Sequence, residues 1–177
     1  MGPVLRKTIL TIHVLSSVGW FGAVAAFLVL AAVGLGTEDA QLLSAVYLAS
    51  QLTTRWVIVP FAILSLLSGV IQGLGTQWGL VKYWWVLIKL ILTLGSVAIL
   101  FLHTGVIDQA AAHWGDASAS HQAEGMAALR LQLVVDSAAA LVVLAIATAL
   151  STVKPRGQTP FAFRRRSDST APVLPDR

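Results

Sequence analysis

Four stretches of this chain carry apolar side chains almost without interruption, and polar or glycine-rich breaks separate them. The first runs from about Leu5 to Gly34, where Gly34, Gly36 and Thr37 end it. The second occupies 53–74 and is closed by Gly73, Gly75, Thr76 and Gly79; the third occupies 81–107 and the fourth 126–153. Each meets the length of about 20 apolar residues that a helix needs to cross a hydrocarbon core of ~30 Å. The pattern predicts an all-α fold, a polytopic membrane four-helix bundle. Thr37 reads as a helix N-cap with Glu38 and Asp39 in the first turn, an arrangement that favours helix initiation. The second helix is therefore expected to extend back to 38, and Pro60, which lacks a backbone donor, predicts a bend in it. Asp108 to Gly125, rich in Ala, Ser, Gly and acids, reads as a loop with some helical content.

Within the apolar runs the polar residues keep to one side. In helix one His13, Ser16, Ser17, Trp20, Val24 and Phe27 share a face, and Gly19, Ala23 and Ala26 lie beside them as a ridge of small residues. In helix three Lys89, Thr93, Ser96, Leu100 and His103 recur at helical spacing as a second stripe. Polar side chains in a membrane helix are costly unless they face protein, so both stripes are expected to point into the bundle. Ser65, Gly69 and Gly73 make a small-xxx-small series on helix two, suited to close helix packing or to a homo-oligomer contact. Tyr83, Trp84 and Trp85 read as an interfacial aromatic belt.

Composition supports a membrane chain. Of the 177 residues 56% are hydrophobic and 11% charged, against roughly 25% charged in a soluble domain. Cysteine is absent, which excludes disulfides, thiolate metal sites and cysteine nucleophiles. The first apolar run follows Arg6 and Lys7 as in a signal peptide, but it far exceeds the apolar region of about 7–15 residues such a peptide has. It is read as a retained span.

The charge distribution sets the expected topology. With four spans, Arg6, Lys7, Lys82, Lys154, Arg156 and the tail arginines fall on one side. Glu38, Asp39, Asp108, Asp116 and Glu124 fall on the other, with Arg55 and Arg130 as its positive residues. The positive-inside rule then puts the N- and C-termini in the cytoplasm. The basic tail, 154–177, is expected to be disordered or lipid-associated, with Arg164, Arg165 and Arg166 against anionic lipid headgroups at roughly 1 kcal/mol each. Because these arginines adjoin a span, nucleic acid is not an expected partner.

Depth along the helices groups the candidate residues. At about 1.5 Å per residue His13 lies ~8 Å into the core from the cytoplasmic side and His103 ~26 Å, a separation of ~18 Å. That separation opposes a bis-histidine haem held by the two. An inner polar face is expected from His13, Ser17, Trp20, Gln72 and Lys89, with Gln72 and Lys89 nearest His13 and the Lys89 ammonium snorkelling toward headgroups. An outer polar cluster is expected from Arg55, His103 and Asp136. His113 and His121 read as loop residues, a weak metal signal, and no metal site is assigned. The sequence holds no P-loop, nucleophile elbow, HExxH or GxGxxG motif, and no catalytic group is identified.

Two stretches, Ile12 to Leu35 and Val57 to Ile107, resemble a family of uncharacterised bacterial, actinobacterial-type integral membrane proteins. That resemblance implies the architecture and a bacterial cytoplasmic (inner) membrane location, and no activity. His13, Trp20, Phe21 and Gly22, together with Trp85, Lys89 and Leu90, more loosely resemble two four-helix groups. These are the haem-b membrane protoporphyrinogen oxidases and the copper-resistance membrane proteins. In the oxidases the helix-three motif reads Trp-Leu-His-x-Lys, and Leu87 stands here where that motif has histidine. The resemblance implies the architecture; of the residues that would hold haem b only His13 carries over, as a candidate ligand. Three functional readings follow: a membrane protein of unassigned activity built around inward polar faces, a haem-b redox protein using His13, and a small transporter or ion-handling protein.

Overall fold

The computed structural model describes residues 2–75, 80, 83–115, 123–153 and 159, without the side chains of 109, 110, 113–115 and 123–126. Four long helices make up the described residues, with no extended strand among them: α1 (Pro3–Gly36), α2 (Ala40–Gly75), α3 (Trp84–Gly115) and α4 (Ala123–Val153). All four are long and apolar enough to cross a membrane, compatible with a multi-pass membrane protein. Pro3 opens α1 at a position where its missing N–H costs nothing. Asp39, and not Thr37, caps α2: its carboxylate accepts from the backbone N–H groups of Gln41 at 2.8 Å and Leu42 at 3.2 Å. Thr37 closes α1 and accepts from Asp39 N–H at 3.2 Å. The turn between the two helices is thus three residues long.

α2 is one helix from Ala40 and carries a π-helical turn at Thr54–Ile58, which ends two residues before Pro60. Proline cannot donate to the carbonyl four residues earlier, and a π-turn upstream is one way to absorb that mismatch. Beyond Asp108, where the sequence reads as loop, α3 continues to Gly115. Alanines at 110–112 are strong helix formers and extend it.

α1 packs against α2 and α4, and α3 packs against the same two, so α1 and α3 face each other across the bundle diagonal. α3 lies mainly along the first stretch of α2, Ala40–Thr53, and only lightly along Val59–Gly75. Pro3 and Val153 share one end of the bundle, called here the terminal end; the Thr37–Asp39 turn marks the far end. The core contains Trp20, Val24, Phe27, Leu43, Tyr47, Ile58 and Ala62, with Val97, Leu133 and Leu144 completing it. Large apolar side chains elsewhere are exposed, among them Val18, Trp56, Leu67, Leu102 and Val142. An outward apolar surface of this extent suits lipid, which removes the hydrophobic drive between helices and leaves packing and hydrogen bonds to hold them.

Gly19, Ser65, Gly69 and Gly73 meet neighbouring side chains within the bundle, while Ala26 of the helix-one ridge is exposed. A Cβ on Gly19 would meet the Phe61 ring at 2.8 Å, and one on Gly69 would meet His13 Cε1 at 3.1 Å. Ser65 is buried and hydrogen-bonded to α1. The series Ser65, Gly69 and Gly73 therefore serves the α1–α2 seam and internal packing, with Gly73 against Leu80. Of the tail, Thr159 is described, and it is fully buried; Arg164, Arg165 and Arg166 lie outside the described residues.

Candidate functional site

The α1–α2 seam explains how His13 is held. Ile9, His13 and Ser17 are one turn apart on α1, and Ser65, Ser68, Gly69 and Gln72 follow helical spacing on the antiparallel α2. They meet in order. Ser17 Oγ and Ser65 Oγ are 2.8 Å apart. His13 Nδ1 lies 3.1 Å from both the Ser65 carbonyl and Ser68 Oγ. Gln72 Nε2 donates to the Ile9 carbonyl at 3.3 Å. Ser16, buried, donates to the His13 carbonyl at 3.1 Å.

This network assigns the tautomer of His13. A carbonyl only accepts, so Nδ1 carries the hydrogen that it donates to Ser65 O. Ser68 directs its own hydroxyl to the Leu64 carbonyl at 2.6 Å, which leaves its lone pairs toward Nδ1. The Nε2 lone pair then faces the bundle interior. Lys89 Nζ reaches across the diagonal from α3 to 3.4 Å from Nε2 and donates to Ser151 Oγ of α4 at 2.7 Å. Ser151 hands its own hydrogen to the Ala147 carbonyl at 2.9 Å. One basic cluster thus ties all four helices near the terminal end. Lys89 makes no ion pair among the described residues.

Other site residues fall differently from the sequence grouping. Lys89 turns inward and does not snorkel, because Ser151 and His13 offer it acceptors within the bundle. Gln72 bonds α1 backbone and not His13. Trp20 is a core residue, 3% exposed. At the far end His103 and Asp136 come together, Nε2 to Oδ2 at 2.8 Å, while Arg55 pairs with Asp108 at 2.7 Å, outside that cluster. Gln51 also donates to Asp108, at 2.9 Å. Asp108 wins Arg55 because α3 remains helical past it and presents the carboxylate to α2. Arg130, 8% exposed, donates to the Thr37 carbonyl at 3.2 Å and to Glu38 at 3.3 Å, fastening α4 to the α1–α2 turn.

Sequence reading does not single out Ser151 or Ser68 as partners of the basic cluster. Their one signal is position: Ser151 sits on the small face of α4 that also carries Asp136, and Ser68 lies three residues from Ser65. The side chains of His113 and His121 lie outside the described residues. Among the described residues no three His, Cys, Asp or Glu side chains converge.

A haem on His13 would bind through Nε2, and the Nδ1–H bond to a backbone carbonyl is the pose a metal-bound histidine adopts. The position beyond Nε2, however, belongs to Lys89 Nζ. At 3.4 Å the two nitrogens are too close to flank one metal in line, which takes about 2 Å to each. His103 stands about 21 Å along α3 from Lys89, at 1.5 Å per residue. The residues as arranged do not fit a haem held by His13 with a second axial ligand.

No family model, no curated protein and no solved structure matches the chain.

Proposed function

We propose that this chain is a multi-pass protein of the bacterial cytoplasmic membrane, both termini cytoplasmic, that handles a proton at a His13–Lys89 site. It stands with small ion-handling or proton-coupled carriers, and its first three helices group it with the uncharacterised family they resemble. The observation that carries the reading is the 3.4 Å approach of Lys89 Nζ to His13 Nε2, with Ser151 as the other acceptor and no acid paired to the lysine among the described residues.

Two bases that face each other in an apolar bundle hold one shared proton between them. The ammonium donates to Nε2, and transfer along that line leaves an amine facing an imidazolium. A second proton would set two like charges side by side where solvent screens them little. The pair is thus a one-proton site close to the terminal end, from which the cytoplasm loads it. The tail arginines anchor that end to anionic headgroups.

The test is proton flux. The full chain, reconstituted in liposomes with an internal pH dye and a potassium diffusion potential, is expected to move protons faster than empty vesicles. His13→Gln and Lys89→Met are each expected to return the rate to that of empty vesicles. Wild-type vesicles no faster than empty ones would overturn the reading.

A further inference from the structure

We propose that His103, backed by Asp136, is the far-side proton group of this carrier, the station at which a proton bound for or released from the His13–Lys89 pair meets the solution beyond the far end. The inference rests on the proton reading above and adds the second end of its route. His103 is built to hold a mobile proton. Nδ1 lies 2.9 Å from the Ile99 carbonyl one turn back, and a carbonyl only accepts, so Nδ1 carries a hydrogen. Nε2 lies 2.8 Å from Asp136 Oδ2, an oxygen with no other hydrogen-bond partner among the described residues. A second hydrogen, on Nε2, satisfies both atoms and makes the pair imidazolium beside carboxylate. The Gln132 head group, 3.2 Å from Nε2, turns its oxygen to the same hydrogen. The proton on Nε2 is the one that moves: it passes to water, and the ring is left neutral with Nδ1–H still on Ile99.

Position supports the role. His103 shares the α3 stripe with Lys89 and stands about 21 Å along the helix from it, toward the far end. Between them α3 offers the partly buried hydroxyls of Thr93 and Ser96, and water bridges the remaining distance. Side-chain exposures of 24% for His103 and 35% for Asp136 bring the pair into reach of solvent. The other charged groups described at this end are unsuited. Arg55 and Arg130 do not give up a proton. Asp108 is committed to Arg55 and Gln51, and Asp39 to the α2 cap. Glu38 is 91% exposed in the turn. Histidine is also the side chain whose ordinary titration range matches the pH of the solutions on either side.

Chemical rescue in the liposome flux assay tests the assignment, because a replacement base restores a proton relay and does not restore a structural contact. His103→Ala and His103→Asn are each expected to slow proton flux about tenfold or more relative to the wild-type chain. Carnosine, an imidazole-bearing dipeptide that does not cross the bilayer, added outside, should recover a large part of the His103→Ala rate in vesicles whose far end faces outward. It should do nothing for His13→Gln, whose site lies inside the bundle. Asp136→Asn, which keeps the shape and removes the charge, should slow flux as well. Wild-type flux with both His103 variants at the wild-type rate, or slow His103 variants that carnosine does not restore, would overturn the far-side assignment and leave the His13–Lys89 reading standing. Wild-type vesicles no faster than empty ones would overturn both.

Discussion

Lys89 and His13 belong to helices that do not pack against each other, yet their side chains meet across the bundle, Nζ to Nε2 at 3.4 Å. The lysine also donates to Ser151 at 2.7 Å, so it links α3 to both α1 and α4. α3 packs only lightly on the terminal half of α2, and this polar tie adds to its packing on α4. Removing the serine should therefore be felt. Ser151→Ala is expected to lower stability by about 0.6 kcal/mol, up to about 1.7, the range for interhelical hydrogen bonds in membranes. A double-mutant cycle with Lys89→Met, read by reversible unfolding in mixed micelles, should return a coupling of that size. A coupling near zero would mean that the bond contributes nothing.

Close approach makes a second prediction. Gly19→Ala places a methyl at 2.8 Å from the Phe61 ring, a separation that real contacts do not show, so either the ring or the seam must move. Overpacking of this kind costs roughly 1–3 kcal/mol. Gly69→Ala presses on His13 Cε1 at 3.1 Å and should disturb the imidazole more than the fold. A thermal-melt series in detergent that ranks Gly19→Ala below wild type, with Gly22→Ala near it, would agree: nothing lies within 4 Å of a Cβ at Gly22.

The Arg130–Glu38 pair is lopsided, with the arginine side chain 9% exposed and the glutamate 91% exposed. Glu38→Gln should change stability by less than about 0.5 kcal/mol, since an exposed partner is screened by solvent. Arg130→Ala loses the bond to the Thr37 carbonyl as well and should cost roughly 1.5–3 kcal/mol. Equal effects of the two substitutions in the same unfolding assay would contradict this division.

Topology can be read by labelling, because the chain has no cysteine. Single cysteines at Glu38 and at Ser167 should react oppositely with a membrane-impermeant maleimide on intact cells. Glu38→Cys is expected to label from outside and Ser167→Cys only after permeabilisation. Labelling of both from outside would reverse the orientation of the tail.

Much of the architecture was legible because lipid imposes a coarse rule, an apolar run of sufficient length, and four such runs exist. The faces on helices one and three were legible for a related reason: in His13–Ser17–Trp20 and Lys89–His103 polar residues repeat at helical spacing within apolar surroundings. Azimuth is harder to read. A helical wheel gives the face of α3 but not whether Lys89 bends back to headgroups or forward to Ser151, since both routes suit a four-carbon stem. The π-turn at Thr54–Ile58 adds a residue to one turn and shifts the phase of α2, which spoils any strict-period estimate of where Arg55 points. Asp108 was hidden by its neighbours: a segment of Ala, Gly and acids reads as loop, while in the fold it is helical as far as Gly115.

Nitrogen NMR of the His13 imidazole addresses the proton-sharing pair most directly, using ¹⁵N-histidine and ¹⁵N-lysine label in lipid bilayers. The expected result is a ring protonated at Nδ1, with an unprotonated Nε2 coupled across a hydrogen bond to the Lys89 ammonium, and loss of that coupling in Lys89→Met. A ring protonated at Nε2 with Nδ1 bare, or a His13 signal unchanged by Lys89→Met, would contradict it.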